Sequence, residues 1–353
     1  MNFQWPWRKA KSDERLVFAW TTDSLAYIQG RRAENGSWQI LQLGVDTRGT
    51  DSDEAWQERL GSLALNGAQV QALLRPEQYQ LLQIEAPKVE PEELRHAARY
   101  QIREMVDSHL DDLTVDVLYV GDGQSKSGQL LFVVAARNDV VRQLGTLAQT
   151  MQWPLNVIDI HELAQRNLQS AIAARSGKFD QATACLVVVS ERQAVITIAA
   201  RGELFFSRRL DLPEGFMDMQ WGDGSGVLAP AQDAYTPVGE YVPDYAASPF
   251  STDTAASMGG ELDKAQRVVV EVQRSLDLWE RTWRDLPLAS FHVHAADRTQ
   301  ALADWLSMEL GQTVLAIDTT PLCEGLDAQP RATQMACLPL LGLLMRTEDG
   351  KER

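Results

Sequence analysis

The sequence predicts an α/β protein of two similar halves, with a small α/β module inserted into the first. Two observations support this prediction. Each half opens with three strand patterns joined by short turns, over residues 15–45 and again over residues 184–210, and helical patterns follow both. The inserted module, residues 77–155, adds further strands and a helix. It lies within the first half, which spans residues 15–177. The second half spans residues 178–346, and the repetition is one of element type rather than of sequence.

Length, charge and cysteine content narrow the class of protein. The 353 residues suit two domains, and 44% hydrophobic residues suffice for a large core. A net charge of −16 disfavours nucleic acid as a partner, because an acidic surface repels phosphate groups. Cys185, Cys323 and Cys337 lack metal-ligand spacing, which predicts buried thiols in a reducing compartment. The sequence shows neither an apolar run that could span a membrane nor the apolar segment of a signal peptide.

Residues 1–14 form a tail that combines aromatic and basic side chains. Trp5 and Trp7 stand next to Arg8, a composition that suits contact with lipid headgroups. The alternative is that the tryptophans dock on the protein's own surface. Both interpretations stay open here, and the tail is too short to anchor the chain to a membrane alone.

The first half begins as an antiparallel meander. Residues 15–29 predict two strands around the polar turn Thr21–Ser24, and a turn signal at residues 34–36 leads into a third strand over residues 38–45. A helix capped by Asp51 or Ser52 is predicted over residues 53–65. Short strands follow over residues 70–74 and 79–85.

The inserted module carries the clearest helix signal. Pro91 suits a first helical position, and Glu92 and Glu93 suit the first turn, where the helix dipole favours negative charge. Helical spacing predicts one apolar stripe with three arginines on a neighbouring face. The stripe is Leu94, Ala97, Ala98, Ile102 and Met105, and the arginines are Arg95, Arg99 and Arg103. A hairpin over residues 114–136, a helix over 138–151, a strand over 155–160 and a helix over 161–174 follow.

The second half repeats the meander and adds a long helix. Its strands are predicted over residues 184–189, 195–200 and 204–210. Residues 217–260 are rich in small and polar residues and nearly free of Lys and Arg, which predicts a flexible insertion. The remaining predictions are a helix over 262–284, a strand over 289–294, a helix over 299–310, a strand over 313–317, and a terminal helix over 333–346 that is kinked at Pro339 and packs back on the first half.

This order of elements is the layout of the actin-like ATPase fold, a ribonuclease H-like fold in which two α/β halves face each other across a cleft. The chain resembles the PilM family of type IV pilus assembly proteins, and most of all its branch in mannose-sensitive haemagglutinin (MSHA) pilus biogenesis. The resemblance covers the chain except the tail and the insertion. Its best support is Pro87–Val89, the Glu-Leu helix after it, and the acidic segment Asp111–Tyr119. It implies a PilM- or FtsA-like arrangement of the inserted module.

The resemblance also places three nucleotide-binding turns, and each has lost the family's motif. Members that bind ATP use two Asp-x-Gly hairpin turns and one Gly-Gly turn, where glycine lets backbone N–H groups approach phosphates. The positions that correspond here are Thr21, Thr22, Ser190, Ala295 and Ala296. We therefore expect a vestigial nucleotide site with no catalytic residue, no metal and no required cofactor, and residual binding of ATP and Mg²⁺ stays open.

The resemblance further implies a scaffold that holds a peptide. A groove between the module and the first half would take the N-terminal cytoplasmic peptide of a PilN-like inner-membrane protein, and the pilus motor ATPase would be a second partner. The implied groove residues are Leu82, Ile84, Arg95, Arg99, Ile102 and Arg103. For the arginines, a solvated stripe with Glu92 and Glu104 is the ordinary alternative. The implied location is the cytoplasmic side of the inner membrane, with Trp5, Trp7 and Arg8 as the candidates for direct contact.

Three other functions stay open. An active ATPase or sugar kinase on this fold would need a carboxylate in the cleft, for which Asp23 and Asp159 are the candidates. A GspL-like component of a type II secretion system usually continues into a transmembrane helix, and an FtsA-like filament protein keeps its nucleotide motifs. His292 and His294 share a strand face, but no further ligands accompany them, so a structural role is expected.

Overall fold

The computed structural model describes residues 14–34, 37–123, 129–221 and 252–347. The predictions for the N-terminal tail, and most of those for residues 217–260, lie outside the described residues. The strands are β1 (Glu14–Trp20), β2 (Ser24–Arg32), β3 (Trp38–Thr47), β4 (Gln69–Leu74), β5 (Tyr79–Glu85), β6 (Leu113–Tyr119), β7 (Leu130–Arg137), β8 (Leu155–Ile160), β9 (Ala182–Ser190), β10 (Gln193–Ala200), β11 (Glu203–Asp211), β12 (Leu288–His294) and β13 (Val314–Ala316). The helices are α1 (Asp53–Ser62), α2 (Leu94–Gln101), α3 (Asn138–Thr150), α4 (His161–Arg175), α5 (Thr252–Thr282), α6 (Thr299–Leu310) and α7 (Arg331–Leu344).

Two five-stranded sheets repeat one plan. The first has the order β3-β2-β1-β4-β8 and the second the order β11-β10-β9-β12-β13. In each sheet an antiparallel meander supplies three strands, and the two strands added after helical connections run parallel to the central strand. The repetition predicted from the element pattern is therefore present in the sheet topology. Because parallel strands end at the same edge, the carboxyl ends of β1, β4 and β8 come together.

Helices α4 and α7 lie between the two sheets. One buried cluster joins Val17 and Ile28 of the first sheet, Cys185 of the second, and leucines of α7. The helices cross so closely that a Cβ at Gly342 would lie 2.0 Å from the Ala164 carbonyl oxygen, so only glycine fits there. Helix α4 also donates two hydrogen bonds from Gln165 Nε2 to the carbonyls of Cys185 and Val195, at 2.9 and 3.2 Å. These contacts join the halves along their centre.

The outer faces of both sheets are covered by other helices. Helices α1 and α3 cover the first sheet, where Trp56 and Leu60 meet Leu144 and Leu147 over Phe18. Helices α5 and α6 cover the second sheet. Helix α5 begins at Thr252, ten residues before the helix that the sequence predicts over residues 262–284. Among the described residues no helix is long and apolar enough to cross a membrane.

The inserted module is a three-stranded antiparallel sheet with the order β5-β7-β6. Helix α2 packs on one face through Leu94 and Ala98, and Ile102, directly after the helix, joins the same cluster. At the end of β6, the Gly121 N–H donates to the Leu204 carbonyl of the second half at 2.7 Å. Gly121 has a φ of +61°, and a Cβ there would lie 2.3 Å from the ring of Phe205. Glycine therefore permits both the backbone conformation and the close contact between the module and the second half.

The module helix is shorter than the apolar stripe predicts. The segment begins as a 3-10 turn at Pro91–Glu93, continues as α2, and ends as a second 3-10 turn at Ile102–Glu104. The change of helix type turns Met105 away from the core, and 48% of its surface is exposed. Placing Met105 on the apolar stripe is therefore wrong, because i→i+3 hydrogen bonding alters the angle between successive side chains.

Candidate functional site

The turn between β1 and β2 satisfies its own backbone. The Thr21 hydroxyl accepts from the Ser24 N–H at 3.1 Å and from the Asp23 N–H at 3.3 Å, and it lies 3.0 Å from the Ser24 hydroxyl. The Thr21 N–H donates to the Ser24 carbonyl at 2.9 Å. The amides of Thr21, Asp23 and Ser24 are thus engaged within the turn, which is the geometry of a polar Ser/Thr turn.

The two other predicted nucleotide-binding turns are also engaged internally. After β9, the Arg192 N–H donates to the Ser190 hydroxyl at 3.3 Å. After β12, the Ala295 N–H donates to the Thr299 hydroxyl at 3.0 Å, and the Ala296 N–H donates to His294 Nδ1 at 3.3 Å. Both alanine side chains are buried in the core of the second half. The five residues Thr21, Thr22, Ser190, Ala295 and Ala296 therefore lie on turns at strand ends.

Arg209 of β11 crosses from the second half to the carboxyl ends of the first sheet. Its guanidinium contacts the carboxylate of Glu162, which follows β8, at 3.1 Å, and donates to the Tyr79 carbonyl at 3.2 Å. It also donates to the carbonyl of Pro76, which follows β4, and lies 4.5 Å over the Tyr79 ring. In open α/β sheets ligands bind at this edge. Here a side chain of the protein occupies that position and joins the two halves.

Glu162 is the buried centre of this contact. Its side chain is fully buried, and it accepts from the Tyr79 hydroxyl as well as from Arg209. Burial, reinforced by the Glu162 charge, holds the pKa of Tyr79 well above its usual value, so the phenol stays protonated and donates. The His161 ring beside it is also buried, and burial together with Arg209 and Arg75 lowers the pKa of His161 to about 3. The histidine is therefore neutral at physiological pH.

The carboxylates considered for catalysis have different surroundings. Asp23 is exposed in the β1–β2 turn. Asp159 is 4% exposed; its Oδ1 accepts from the Ile160 N–H at 2.8 Å, and its Oδ2 forms an ion pair with Arg346 at the end of α7. Burial lowers the pKa of His294 to about 4, and His292 is likewise held below its ordinary pKa. Across the described ranges, His, Cys, Asp and Glu side chains form no cluster of three that could hold a metal ion.

The predicted groove residues divide into core and surface. Ile84 and Ile102 are 7% and 0% exposed beneath α2, so a peptide could not contact them in this conformation, and assigning them to a groove wall is wrong on grounds of burial. Leu82 is half-buried beside the same cluster. Arg99 donates to the Leu110 carbonyl and lies 3.6 Å from Asp111, so it closes the loop after α2. Arg95 and Arg103 are exposed.

The sequence predicted neither the exposed aromatic residues on α2 nor the contact between Arg209 and Glu162 in the crevice between the two halves. On α2, Tyr100 is 61% exposed and its ring meets His96 edge-on at 4.9 Å. Together with Arg95, Arg103 and Met105 these residues form what we call the α2 surface. The contact between Glu162 and Arg209 joins residues far apart in the chain. Its one signal in the sequence is a charged residue two positions after strand β8, and that signal does not identify the partner.

Comparisons with known proteins agree with this architecture. No protein-family profile matches the sequence, and no curated protein sequence matches it. A structure of the PilM-PilN type IV pilus biogenesis complex superimposes with a TM-score of 0.62 at 14% identity, over 95% of this chain and 98% of that chain. The cytoplasmic domain of EpsL, an inner-membrane component of the type II secretion system of Vibrio cholerae, gives a TM-score of 0.40 at 15% identity, over 65% and 80%. A Bacteroides thetaiotaomicron protein with an actin-like ATPase fold and unknown function gives 0.48 at 10% identity, over 96% and 97%.

The fold is therefore that of the actin-like ATPases, as the sequence predicts, with a small module inserted in the first half. Within that class, the structure is similar to the PilM-PilN complex over nearly the whole length of both chains.

Proposed function

We propose that this chain is a cytoplasmic scaffold of type IV pilus biogenesis that works at the inner membrane. Its partner would be the N-terminal cytoplasmic peptide of a PilN-like inner-membrane protein, with the pilus motor ATPase as a further contact. Within this class, MshI of MSHA pilus biogenesis is the specific counterpart that we propose. The fold shared with the PilM-PilN complex supports the kind of machine and the kind of partner.

The observation that carries the proposal is the α2 surface. It presents Tyr100 and Met105, which are 61% and 48% exposed, together with the exposed Arg95 and Arg103. Tyrosine, methionine and arginine are the residue types enriched in protein–protein interfaces. The open edge strands β5 and β6 of the module could pair with an extended peptide. The module therefore offers both side-chain contacts and backbone pairing to a peptide.

We further propose that the chain is a pseudo-ATPase. Three features support this: the turn amides bond within their own turns, the alanines of the third turn are buried, and Arg209 occupies the crevice between the halves. A bound triphosphate would have to displace a buried ion pair. Titration calorimetry with Mg-ATP tests the proposal, and micromolar binding would contradict it.

The partner is tested by calorimetry with a synthetic N-terminal cytoplasmic peptide of a PilN-like inner-membrane protein. We expect binding that weakens about 10-fold in the double variant Arg95→Glu/Arg103→Glu, because both side chains are exposed at the proposed interface. Arg99 is unsuitable as a first test, since it also closes the loop after α2. The matched control is Arg281→Glu on α5, which should leave binding unchanged. Absence of binding to the unmodified chain would refute the scaffold proposal.

A further inference from the structure

A groove runs between α1 and α3 on the outer face of the first sheet and reaches the β1–β2 turn at Thr22. Its volume is about 450 Å³, which lies within the range typical of small-molecule sites. Each helix lines the groove with residues of one face, at intervals of three and four positions. They include Trp56, Gln57 and Leu60 on α1, and Arg142, Gln143 and Thr146 on α3.

The two helices run in the same direction along the groove. Trp153, which follows α3, donates from its Nε1 to the carbonyl of Leu65, which follows α1, at 3.0 Å. The strands that come next, β4 and β8, are parallel to each other. The starts of the two helices therefore lie together at the opposite end, and the charged residues of the groove gather there. These residues are Arg48 and Asp53 at the start of α1, and Asp139 and Arg142 at the start of α3.

One guanidinium at this end of the groove has no counter-charge. Arg48 forms an ion pair with Asp53 at 2.8 Å, and Asp139 forms one with Arg137 at 2.7 Å. Both carboxylates of the groove are thus neutralised by arginines. Arg142 is exposed and forms no ion pair within the part of the chain that the structure describes. The charge left over at the groove is therefore positive, and it favours an anion.

The rest of the groove is uncharged and combines an aromatic side chain with hydrogen-bonding groups. Trp20 is half-buried and lines the groove, and Trp56 is buried in the core beside it. The exposed Gln57, Gln143 and Thr146 bring amide and hydroxyl groups to the two walls. An indole offers a flat apolar surface on which another ring can stack. The lining therefore suits a flat ring system that carries polar substituents.

We propose that the groove between α1 and α3 binds a small aromatic anion, an organic molecule with a flat ring system and a single negative charge. The anionic group contacts the Arg142 guanidinium, and the ring lies against Trp20 between the two helices. A single uncompensated arginine suits a monoanion, whereas a triphosphate would bring several negative charges to a groove that offers one positive charge. This inference is independent of the proposed pilus function.

Two related dyes test the site on the full chain. 1-Anilinonaphthalene-8-sulfonate carries an aromatic ring system and one sulfonate, and N-phenyl-1-naphthylamine has the same ring system without the charge. In fluorescence titrations the sulfonate should bind about 10-fold more tightly than the neutral dye, because its charge meets Arg142. Arg142→Gln should remove this preference and leave the affinity for the neutral dye unchanged. Arg142→Lys, which keeps the charge, should retain most of the preference.

A second variant tests the groove itself. Thr146→Trp places a large side chain on the α3 wall and should weaken the binding of both dyes at least 10-fold. The control is Arg281→Gln on α5, an exposed arginine outside the groove, which should change neither affinity. Thermal unfolding followed by circular dichroism verifies that every variant remains folded.

Three outcomes would overturn the proposal. Equal affinities of the two dyes for the unmodified chain, or no binding of the sulfonate, would show that the groove does not select an anion. Sulfonate binding that survives both Arg142→Gln and Thr146→Trp would place the dye elsewhere on the protein. Displacement of the sulfonate by micromolar Mg-ATP would show that the site takes a polyanion instead of a small aromatic anion.

Discussion

The polar side chains in the crevice between the halves are paired with one another, whereas those on the α2 surface are exposed. In the crevice, Arg209, Glu162 and Tyr79 bond to one another. On the α2 surface, Tyr100 and two arginines point outward. The crevice of an actin-like fold is where a ligand would be expected, yet here it is filled by the protein. The surface that we propose for binding, with Tyr100 61% exposed, lies on the small module.

Under the proposed function, the architecture of the fold is kept while contacts within the protein, such as that of Arg209 with Glu162, take the place of nucleotide chemistry. Glu162 would be costly to bury without a partner, and Arg209 supplies that partner from the opposite half. The interaction stabilises one arrangement of the two halves. A scaffold benefits from such rigidity, whereas an enzyme that closes around a nucleotide needs its cleft free. The predictions below test this contrast, from the largest expected effect to the smallest.

Removing the Glu162 carboxylate should cause the largest loss in the free energy of unfolding. Glu162→Ala leaves the Arg209 guanidinium without its counter-charge between the halves, and we expect a loss of about 4 kcal/mol in the free energy of unfolding. Urea denaturation measures it. The control is Glu214→Ala, which removes an exposed contact with Arg192 at 3.4 Å and should change little. Similar losses in the two variants would mean that the crevice contact is not structural.

We expect the second-largest loss of stability from a substitution in the core of the module. Ile102→Ala empties a fully buried position under α2, and we expect a loss of about 3 kcal/mol. Met105→Ala, three residues further on, should be nearly neutral because that side chain is exposed. Urea denaturation of the two variants compares them directly. If Met105→Ala were the more destabilising change, the placement of the 3-10 turn after α2 would be wrong.

The contact between the module and the second half can be tested at Gly121. Gly121→Ala combines a left-handed backbone with a clash against Phe205, and we expect a loss of about 2 kcal/mol. Gly177 is the matched control, since its φ is +68° but nothing lies within 4 Å of its Cβ position. The difference between the melting temperatures of the two alanine variants isolates the clash with Phe205. Equal melting temperatures would show that the module does not press on the second half.

The smallest effect is a pH dependence from the crevice. The pKa of His161 is lowered from 6.5 to about 3 by burial and by nearby Arg209 and Arg75, so the unfolded chain binds a proton that the folded chain does not. Stability is therefore full above pH 6.5 and falls as the pH drops toward 3. His161 alone should contribute a loss of about 1.4 kcal/mol between pH 7.5 and 5.5. His161→Phe should flatten the measured profile by that amount, and an unchanged profile would contradict the burial of this ring.

The sequence was informative wherever a pattern repeats locally. Alternating and apolar runs predicted the two meanders, and turn residues marked where their strands end. The loss of the Asp-x-Gly and Gly-Gly motifs was visible without a structure. Pro91 and the acidic residues after it predict the start of the helix three residues too early, because Pro91–Glu93 form a 3-10 turn and α2 begins at Leu94. Local patterns succeed because strand and helix periodicity report which face of a segment is buried.

Tertiary structure decided which of these residues meet. Ile84 and Ile102 belong to the core of the module, and Arg99 holds a loop, although the resemblance implies a groove position for all three. The contact of Arg209 with Glu162 joins the two halves, and neither segment has a periodic pattern that would predict it. The groove between α1 and α3, which Trp20 and Trp56 help to line, exists because two helices from separate parts of the chain lie side by side. Such contacts depend on long-range packing, and the helical or strand periodicity of one segment does not identify the residues that it contacts in another.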